Sequence, residues 1–257
     1  MNISELFSLS GRTALVTGSS RGLGFAFAQA LAAHGAKVIL NGTNAEKLQA
    51  AVDALCAQGY MADSAAFDVS DEQAVMGAFR GFDDKGLAID ILINNAGIQL
   101  RKHLVDLELA EWQQVLDTNL TSAFLVGKEA AKRMIARKSG GKIINIGSLT
   151  SECARASIAP YTVAKGGIKM LTRAMTAEWA AHNIQANAIG PGYMATDMNA
   201  ALIDNPQFDG WVKARTPAGR WGLPDELAGT AVYLSSRASD YINGQIIYVD
   251  GGMLAVL

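Results

Sequence analysis

The sequence is poor in cysteine and histidine, and each shortage excludes a class of protein. Its two cysteines, Cys56 and Cys153, stand far apart among 257 residues, which is not the framework of a disulfide-rich secreted domain. Its three histidines have no cysteine or carboxylate at zinc-ligand spacing, so we expect no metal site, with a hard cation held by carboxylates as the alternative that stays open. The first residues lack the basic and apolar regions of a secretory signal, and we expect a cytoplasmic protein.

An excess of charge of one sign and long apolar runs are also absent. Lys and Arg number 22 against 24 for Asp and Glu, and no basic stripe is visible, so we expect no nucleic-acid partner. No apolar run approaches the roughly 18 residues of a spanning helix, so we expect no membrane partner. Hydrophobic residues make up 50% of the chain, which is enough to bury a large core.

Short apolar runs alternate with longer amphipathic stretches, the pattern of a parallel sheet with helices on both faces. We predict one α/β domain, residues 1–257, with a doubly wound sheet of about seven parallel strands. The predicted strands are 13–17, 37–40, 64–67, 89–94, 141–146, 184–189 and 245–249. The predicted helices are 24–34, 45–58, 71–84, 109–137 (with a break allowed), 161–182 and 224–235.

Four of the five prolines lie in the last third of the chain, where residues 190–222 form a long segment of mixed character. Connections longer than about 12 to 15 residues in compact domains are usually functional or disordered. We therefore expect a substrate loop or lid at about 190–222.

A glycine-rich turn directly follows the first predicted strand and precedes a helix. Its glycines would let the backbone approach a phosphate closely, and the helix N-terminus offers free N–H groups and partial positive charge. The spacing differs from the usual G-x-G-x-x-G, and a plain strand-to-helix turn is the alternative, but the position favours a dinucleotide site. The candidate cofactor contacts in this turn are Gly18, Ser20, Arg21, Gly22, Leu23 and Gly24.

The end of the second strand indicates which cofactor is preferred. An NAD site usually carries a carboxylate there for the ribose 2′-hydroxyl, whereas this chain has Asn41 and Thr43. Arg21 could pair bidentately with a 2′-phosphate, so we predict NADP (NADPH). An amide or hydroxyl at 41, 43 or 44 could also serve a plain ribose, which leaves NAD as a weaker alternative.

Three residues in the middle of the chain suggest proton transfer at an alcohol or carbonyl. Ser148 follows the fifth strand, and Tyr161 and Lys165 lie one turn apart on a helix. Tyrosine, with a pKa of about 10, is a poor base near neutrality, and a nearby lysine ammonium would lower that pKa. Ser148 could hold the same substrate oxygen, so we predict a catalytic trio.

These motifs together resemble the classical short-chain dehydrogenase/reductase family over residues 9–252. The resemblance implies a single-domain Rossmann-type fold and a catalytic Asn119 that holds a water leading protons to Lys165. It also implies that Lys165 contacts the nicotinamide ribose. The further cofactor contacts that it implies are Asp68 and Val69 near adenine, Asn95, Ala96 and Gly97 beside the cleft, and Pro191 and Gly192 flanking the nicotinamide.

Within that family, residues 6–9, 95–99, 217–222 and 238–244 look most like gluconate 5-dehydrogenases. That resemblance implies an oxidoreductase interconverting D-gluconate and 5-keto-D-gluconate, mostly with NADP. A carboxylate substrate needs a cation, and Arg101 and Arg155 are the candidates, beside Ser148 and Tyr161. Leu100 departs from the basic residue expected beside Arg101, and Thr43 from the arginine frequent in NADP-preferring relatives.

Two other functions remain as alternatives. One is the reduction of a ketoacyl thioester on a carrier protein, or of another small carbonyl. The other is NADP binding without turnover, which the complete set of catalytic residue types disfavours.

The family resemblance also implies a homotetramer built from the long middle helices and the C-terminal strand, and the apolar ending 253–257 is compatible with it.

Overall fold

A computed structural model describes residues 3–256, so the outermost residues of the predicted domain and of its apolar ending lie outside the described part. The described chain forms one seven-stranded sheet, and all of its neighbouring strands are parallel. The strands are β1 (Thr13–Val16), β2 (Lys37–Gly42), β3 (Ala62–Ala66), β4 (Ile91–Asn94), β5 (Gly141–Ile146), β6 (Ile184–Pro191) and β7 (Ile246–Val249). The predicted α/β fold with seven parallel strands is confirmed.

Helices cover both faces of the sheet. Those of eight residues or more within 3–256 are α1 (Gly22–Ala33), α2 (Ala45–Cys56), α3 (Glu72–Asp84), α4 (Leu109–Leu116), α5 (Ser122–Arg137), α6 (Ala159–Trp179), α7 (Pro206–Arg215) and α8 (Asp225–Ser235). One core packs α1, α2 and α8 against the sheet, and the other packs α3, α5 and α6. Strand residues alternate between them, as Leu15 does with its neighbours Ala14 and Val16.

The strand order is β3-β2-β1-β4-β5-β6-β7. The winding reverses between β1 and β4, and ligands of open parallel sheets bind beyond the carboxyl ends of the strands at such a point. Most residues of the edge strands β3 and β7 are half-buried, because each of these strands has a single neighbouring strand. The inner strands are mostly buried.

The structure describes two predicted segments in more detail than the sequence did. The predicted helix 109–137 is divided by a π-helical turn, Asp117–Thr121, between α4 and α5. Much of 190–222, predicted as a connection of mixed character, is helical: a 3₁₀ turn (Asp197–Asn199), one α-helical turn (Ala200–Ile203) and α7. Helix α7 begins where Asn205 accepts a hydrogen bond from the backbone N–H of Phe208 (3.1 Å) and Pro206 takes the first helical position. We call residues 190–222 the cap segment.

Candidate active site

A cleft of about 1030 Å³ lies beyond the carboxyl ends of the strands. It gathers every residue that the sequence suggested for cofactor, catalysis or substrate. These lining residues are Gly18, Ser20, Arg21, Gly22, Leu23, Gly24, Asn41, Thr43, Asp68, Val69, Asn95, Ala96, Gly97, Arg101, Asn119, Ser148, Arg155, Tyr161, Lys165, Pro191 and Gly192. Residues separated by up to 174 positions in the chain, 192 minus 18, therefore share one surface.

The glycine turn leaves room where a phosphate would need it. A Cβ on Gly18, whose φ is +60°, would lie 2.8 Å from the Cα of Ala96, and one on Gly24 would lie 2.4 Å from the carbonyl oxygen of Gly18. A Cβ on Gly22 would meet nothing within 4 Å. No side chain caps the N-terminus of α1, so its N–H groups face the cleft without a side-chain acceptor. The turn therefore fits a dinucleotide pyrophosphate.

Thr17 and Asn95 join the turn after β1 to the turn after β4. The Thr17 hydroxyl oxygen accepts from the backbone N–H groups of Asn95 (2.9 Å) and Ala96 (3.0 Å). The Asn95 amide donates to the carbonyls of Thr17 (2.9 Å) and Gly18 (3.0 Å). Asn95 is thus committed to shaping the cleft, a contribution that the resemblance alone implied.

At the end of β2, the buried Asn41 is also committed to the backbone. Its amide donates to the carbonyls of Ala65 (3.1 Å) and Phe67 (3.0 Å), and its side-chain oxygen accepts from Gly18 N–H at 3.4 Å. Both of its amide hydrogens are therefore engaged by the backbone, and its side-chain oxygen is the atom that could accept from a ribose hydroxyl. The exposed Thr43 remains available.

A second cation, Lys47, lines the cleft in the same neighbourhood as Arg21 and Thr43. It lies in the first turn of α2, which the Asn44 side chain caps by accepting from Lys47 N–H at 2.8 Å. No carboxylate stands between Asn41 and Asn44. Sequence reasoning missed Lys47, although its place just after the second strand could have identified it.

Ser148, Tyr161 and Lys165 converge at the centre of the cleft. Lys165 is buried (4% exposed) and its Nζ donates to the carbonyl of Ile146 at 2.6 Å, while lying 5.5 Å from the ring centroid of Tyr161. Burial raises the pKa of Tyr161, and a hydrogen bond with Ser148 acts in the opposite direction. Burial lowers the pKa of Lys165 to about 8. Desolvation therefore sets the direction of the Tyr161 pKa in this structure, which does not show the lowering that we expected from the lysine.

Asn119 lies in the π-helical turn and is buried. Its amide donates to the carbonyls of Ile98 (3.0 Å) and Val115 (2.8 Å), and its side-chain oxygen accepts from Ile98 N–H (3.1 Å). Gly97 permits this approach, since a Cβ there would stand 2.5 Å from that oxygen. With both amide hydrogens committed, Asn119 can hold a water only through an oxygen atom.

Two arginines meet at the substrate end. Arg155 Nη1 donates to the Tyr193 hydroxyl at 3.5 Å, and its guanidinium lies 4.9 Å from the ring centroid of Phe208. Burial and the nearby charge of Arg155 lower the pKa of Arg101. Neither arginine forms an ion pair with a described residue. Paired cations without a counter-ion form a site for an anion.

Tyr193 is a second lining residue that sequence reasoning missed, although it directly follows Pro191 and Gly192.

Within residues 3–256, no group of three or more His, Cys, Asp or Glu could hold a metal ion. No described helix has the length and apolar character needed to cross a membrane.

Comparisons with known proteins agree with this geometry. The family model for enoyl-(acyl carrier protein) reductase matches residues 18–254. Gluconate 5-dehydrogenase of Gluconobacter oxydans is 48% identical over 257 residues, covering 100% of both chains. A 2-dehydro-3-deoxy-D-gluconate 5-dehydrogenase of Formosa agariphila is 46% identical, covering 98% of this chain and 96% of the relative. A gluconate 5-dehydrogenase from Burkholderia cenocepacia, solved with NADP and tartrate, is 46% identical with a TM-score of 0.96 and 99% coverage of each chain.

Proposed function

The chain belongs to the short-chain dehydrogenase/reductase family, and from this we propose that it is an NADP-dependent oxidoreductase interconverting D-gluconate and 5-keto-D-gluconate. The observation that carries the substrate class is the pair Arg101 and Arg155, two cations without a counter-ion beside Ser148 and Tyr161. A sugar-acid carboxylate would satisfy both arginines while its hydroxyl-bearing chain reaches the catalytic residues.

The cofactor half of the cleft fits NADP. The uncapped N-terminus of α1 and the open space at Gly22 suit the pyrophosphate. Arg21 and Lys47, with no carboxylate between 41 and 44, suit a 2′-phosphate, and NAD remains the weaker alternative. Asp68 and Val69 would border the adenine. Bound NADP would supply the hydride acceptor for oxidation of the alcohol carbon, and NADPH the hydride donor for reduction of the ketone.

The residues at the centre of the cleft, Ser148, Tyr161 and Lys165, would carry out the proton transfer. Tyr161 accepts the hydroxyl proton during oxidation and returns it to the carbonyl oxygen during reduction. Ser148 donates to or accepts from the same oxygen and holds it beside Tyr161. Lys165, when protonated, favours the phenolate of Tyr161, and its Nζ would contact the nicotinamide ribose. Asn119 would bind a relay water through an oxygen.

The cap segment supplies one wall of the substrate end, and we propose that it acts as the lid of a single catalytic domain. Tyr193, Met194, Thr196 and Met198 from this segment line the cleft. Met198 is 52% exposed, an apolar side chain that closure over a substrate would cover. Pro191 and Gly192 would flank the nicotinamide at the start of the segment.

A homotetramer is also part of the proposal. Phe124 on α5 is 45% exposed, and Val163 and Met170 on α6 are 48% and 58% exposed. Exposed apolar side chains on the two longest helices suit a helix-to-helix interface between copies. A monomer in sedimentation at micromolar concentration would contradict it.

A cytoplasmic location accords with two free, exposed cysteines, and we expect no nucleic-acid partner.

The test is an initial-rate assay at 340 nm with D-gluconate and NADP or NAD, and with 5-keto-D-gluconate and the reduced cofactors. We expect turnover with the gluconate pair and preference for NADP. The same assay with 2-dehydro-3-deoxy-D-gluconate reports whether a related sugar acid is preferred. Faster turnover of acetoacetyl thioesters than of any sugar acid would replace the proposal by the carrier-thioester reductase. NADPH binding, seen by fluorescence, without turnover of any of them would indicate a non-catalytic binding protein.

A further inference from the structure

Arg155 is the better anchored of the two arginines at the substrate end. The Phe208 ring packs against its guanidinium at 4.9 Å, and the Tyr193 hydroxyl accepts from its Nη1 at 3.5 Å. Arg101 has no hydrogen bond or ring contact of this kind to a described residue, and it is more exposed than Arg155. The two cations therefore differ in how firmly they are held before a substrate arrives.

Phe208 lies on α7 of the cap segment and does not line the cleft. Its ring belongs to an aromatic cluster, with centroids 5.7 Å from Tyr193, 5.4 Å from Trp211 and 6.4 Å from Trp221. Tyr193, by contrast, lines the cleft and could touch a substrate directly. Any effect of Phe208 on substrate binding must therefore pass through the residues that it contacts.

Holding Arg155 in advance has a physical benefit. A free arginine side chain loses rotamer entropy on binding, and stacking on an aromatic face removes much of that loss beforehand. We propose that Phe208 is a positioning residue that orients Arg155 for the carboxylate of the substrate, so that the cap segment contributes to recognition of the acid. The inference rests on the proposed function, and it assigns this recognition to a residue outside the cleft.

The test compares Phe208→Leu with Trp211→Leu. Both substitutions remove one ring of the same cluster, but the guanidinium of Arg155 stacks on Phe208 and not on Trp211, and Trp211 does not line the cleft. We expect Phe208→Leu to raise the KM for D-gluconate about 3- to 10-fold with kcat nearly unchanged, as a cation–π contact at a partly exposed site would give. Trp211→Leu should leave this KM near the wild-type value, and Phe208→Tyr, which keeps the ring, should restore it.

A double substitution separates positioning from general loosening of the cap segment. In an Arg155→Met background, adding Phe208→Leu should change the KM no further, because the group that Phe208 orients is gone. Equal effects of Phe208→Leu and Trp211→Leu, or full additivity with Arg155→Met, would overturn the inference while leaving the proposed function intact. A wild-type enzyme that turns over no sugar acid would instead refute the proposed function and this inference with it. NADPH affinity, measured by fluorescence, should be the same in every variant.

Discussion

Replacing Lys165 by Met should abolish most activity and yet leave the protein at least as stable at neutral pH. The pKa of Lys165 falls from 10.5 to about 8 on burial, and each pKa unit corresponds to about 1.4 kcal/mol. Keeping this lysine protonated in the folded protein at pH 7 therefore costs about 3 kcal/mol. Methionine removes that cost but leaves the carbonyl of Ile146 without its 2.6 Å hydrogen bond, a loss of about 1 to 3 kcal/mol. The net change should lie between about zero and 2 kcal/mol of stabilisation.

The pH dependence of the free energy of unfolding separates the effect of the Lys165 charge from that of the lost hydrogen bond. Between about pH 8 and 10.5 the unfolded chain holds more protons on Lys165 than the folded chain does, so wild-type stability gains from rising pH in that window. The methionine variant lacks this gain. Its advantage over wild type should therefore shrink by about 2 kcal/mol between pH 7 and pH 9.5, whatever the hydrogen bond contributes.

Urea unfolding of both proteins at the two pH values, followed by circular dichroism, measures this difference. Lys85→Met, which replaces an exposed lysine after α3, is the matched control for the loss of a lysine charge. A stability difference between wild type and Lys165→Met that stays constant from pH 7 to pH 9.5 would refute the argument that burial depresses the Lys165 pKa. A kcat within tenfold of wild type would refute its catalytic role.

Three further substitutions test the rest of the cleft. Tyr161→Phe should lower kcat by about 100-fold or more while NADPH fluorescence titration gives an unchanged Kd, because only the proton-transfer group is lost. Arg21→Ala should raise the KM for NADP by about tenfold and leave the KM for NAD unchanged, and Lys47→Ala should also raise the KM for NADP. Equal changes in the KM for both cofactors would contradict a 2′-phosphate contact. Gly18→Ala combines a φ of +60° with a 2.8 Å backbone contact and should lower Tm by at least about 4 °C, whereas Gly22→Ala, which meets nothing within 4 Å, should cost less stability.

The sheet was predictable because burial on both faces makes the inner strands continuous apolar runs. The prediction for β5 has the observed bounds, Gly141–Ile146, and the other strands begin or end within two residues of theirs. The sequence allowed a break in the helix 109–137, but the π-helical turn could not be placed at Asn119, because it leaves the apolar pattern of a continuous helix almost unchanged. Helix α7 within the cap segment was not predicted, because it is short and its order comes from ring contacts with residues distant in sequence, such as Trp221.

The cofactor half of the site could be read from the sequence because its residues follow directly after strands, where local glycine and polar patterns are visible. The substrate half could be read only in part. Arg101 and Arg155 were candidates, but Phe208 and Tyr193 contact Arg155 only because the cap segment folds back onto the loop after β5. Such contacts join residues 38 to 53 positions apart, 193 minus 155 and 208 minus 155, and no local pattern encodes them.

The same features that suit this cleft to its chemistry work against the stability of the protein without ligand. A buried lysine with a lowered pKa and two neighbouring arginines without a counter-ion each raise the free energy of the folded state. A bound carboxylate would relieve the repulsion between the arginines, so sugar acids should stabilise the protein more than neutral polyols of the same length. Thermal unfolding in matched concentrations of D-gluconate and sorbitol measures this difference. Equal stabilisation by the two would mean that Arg101 and Arg155 do not bind the acid group.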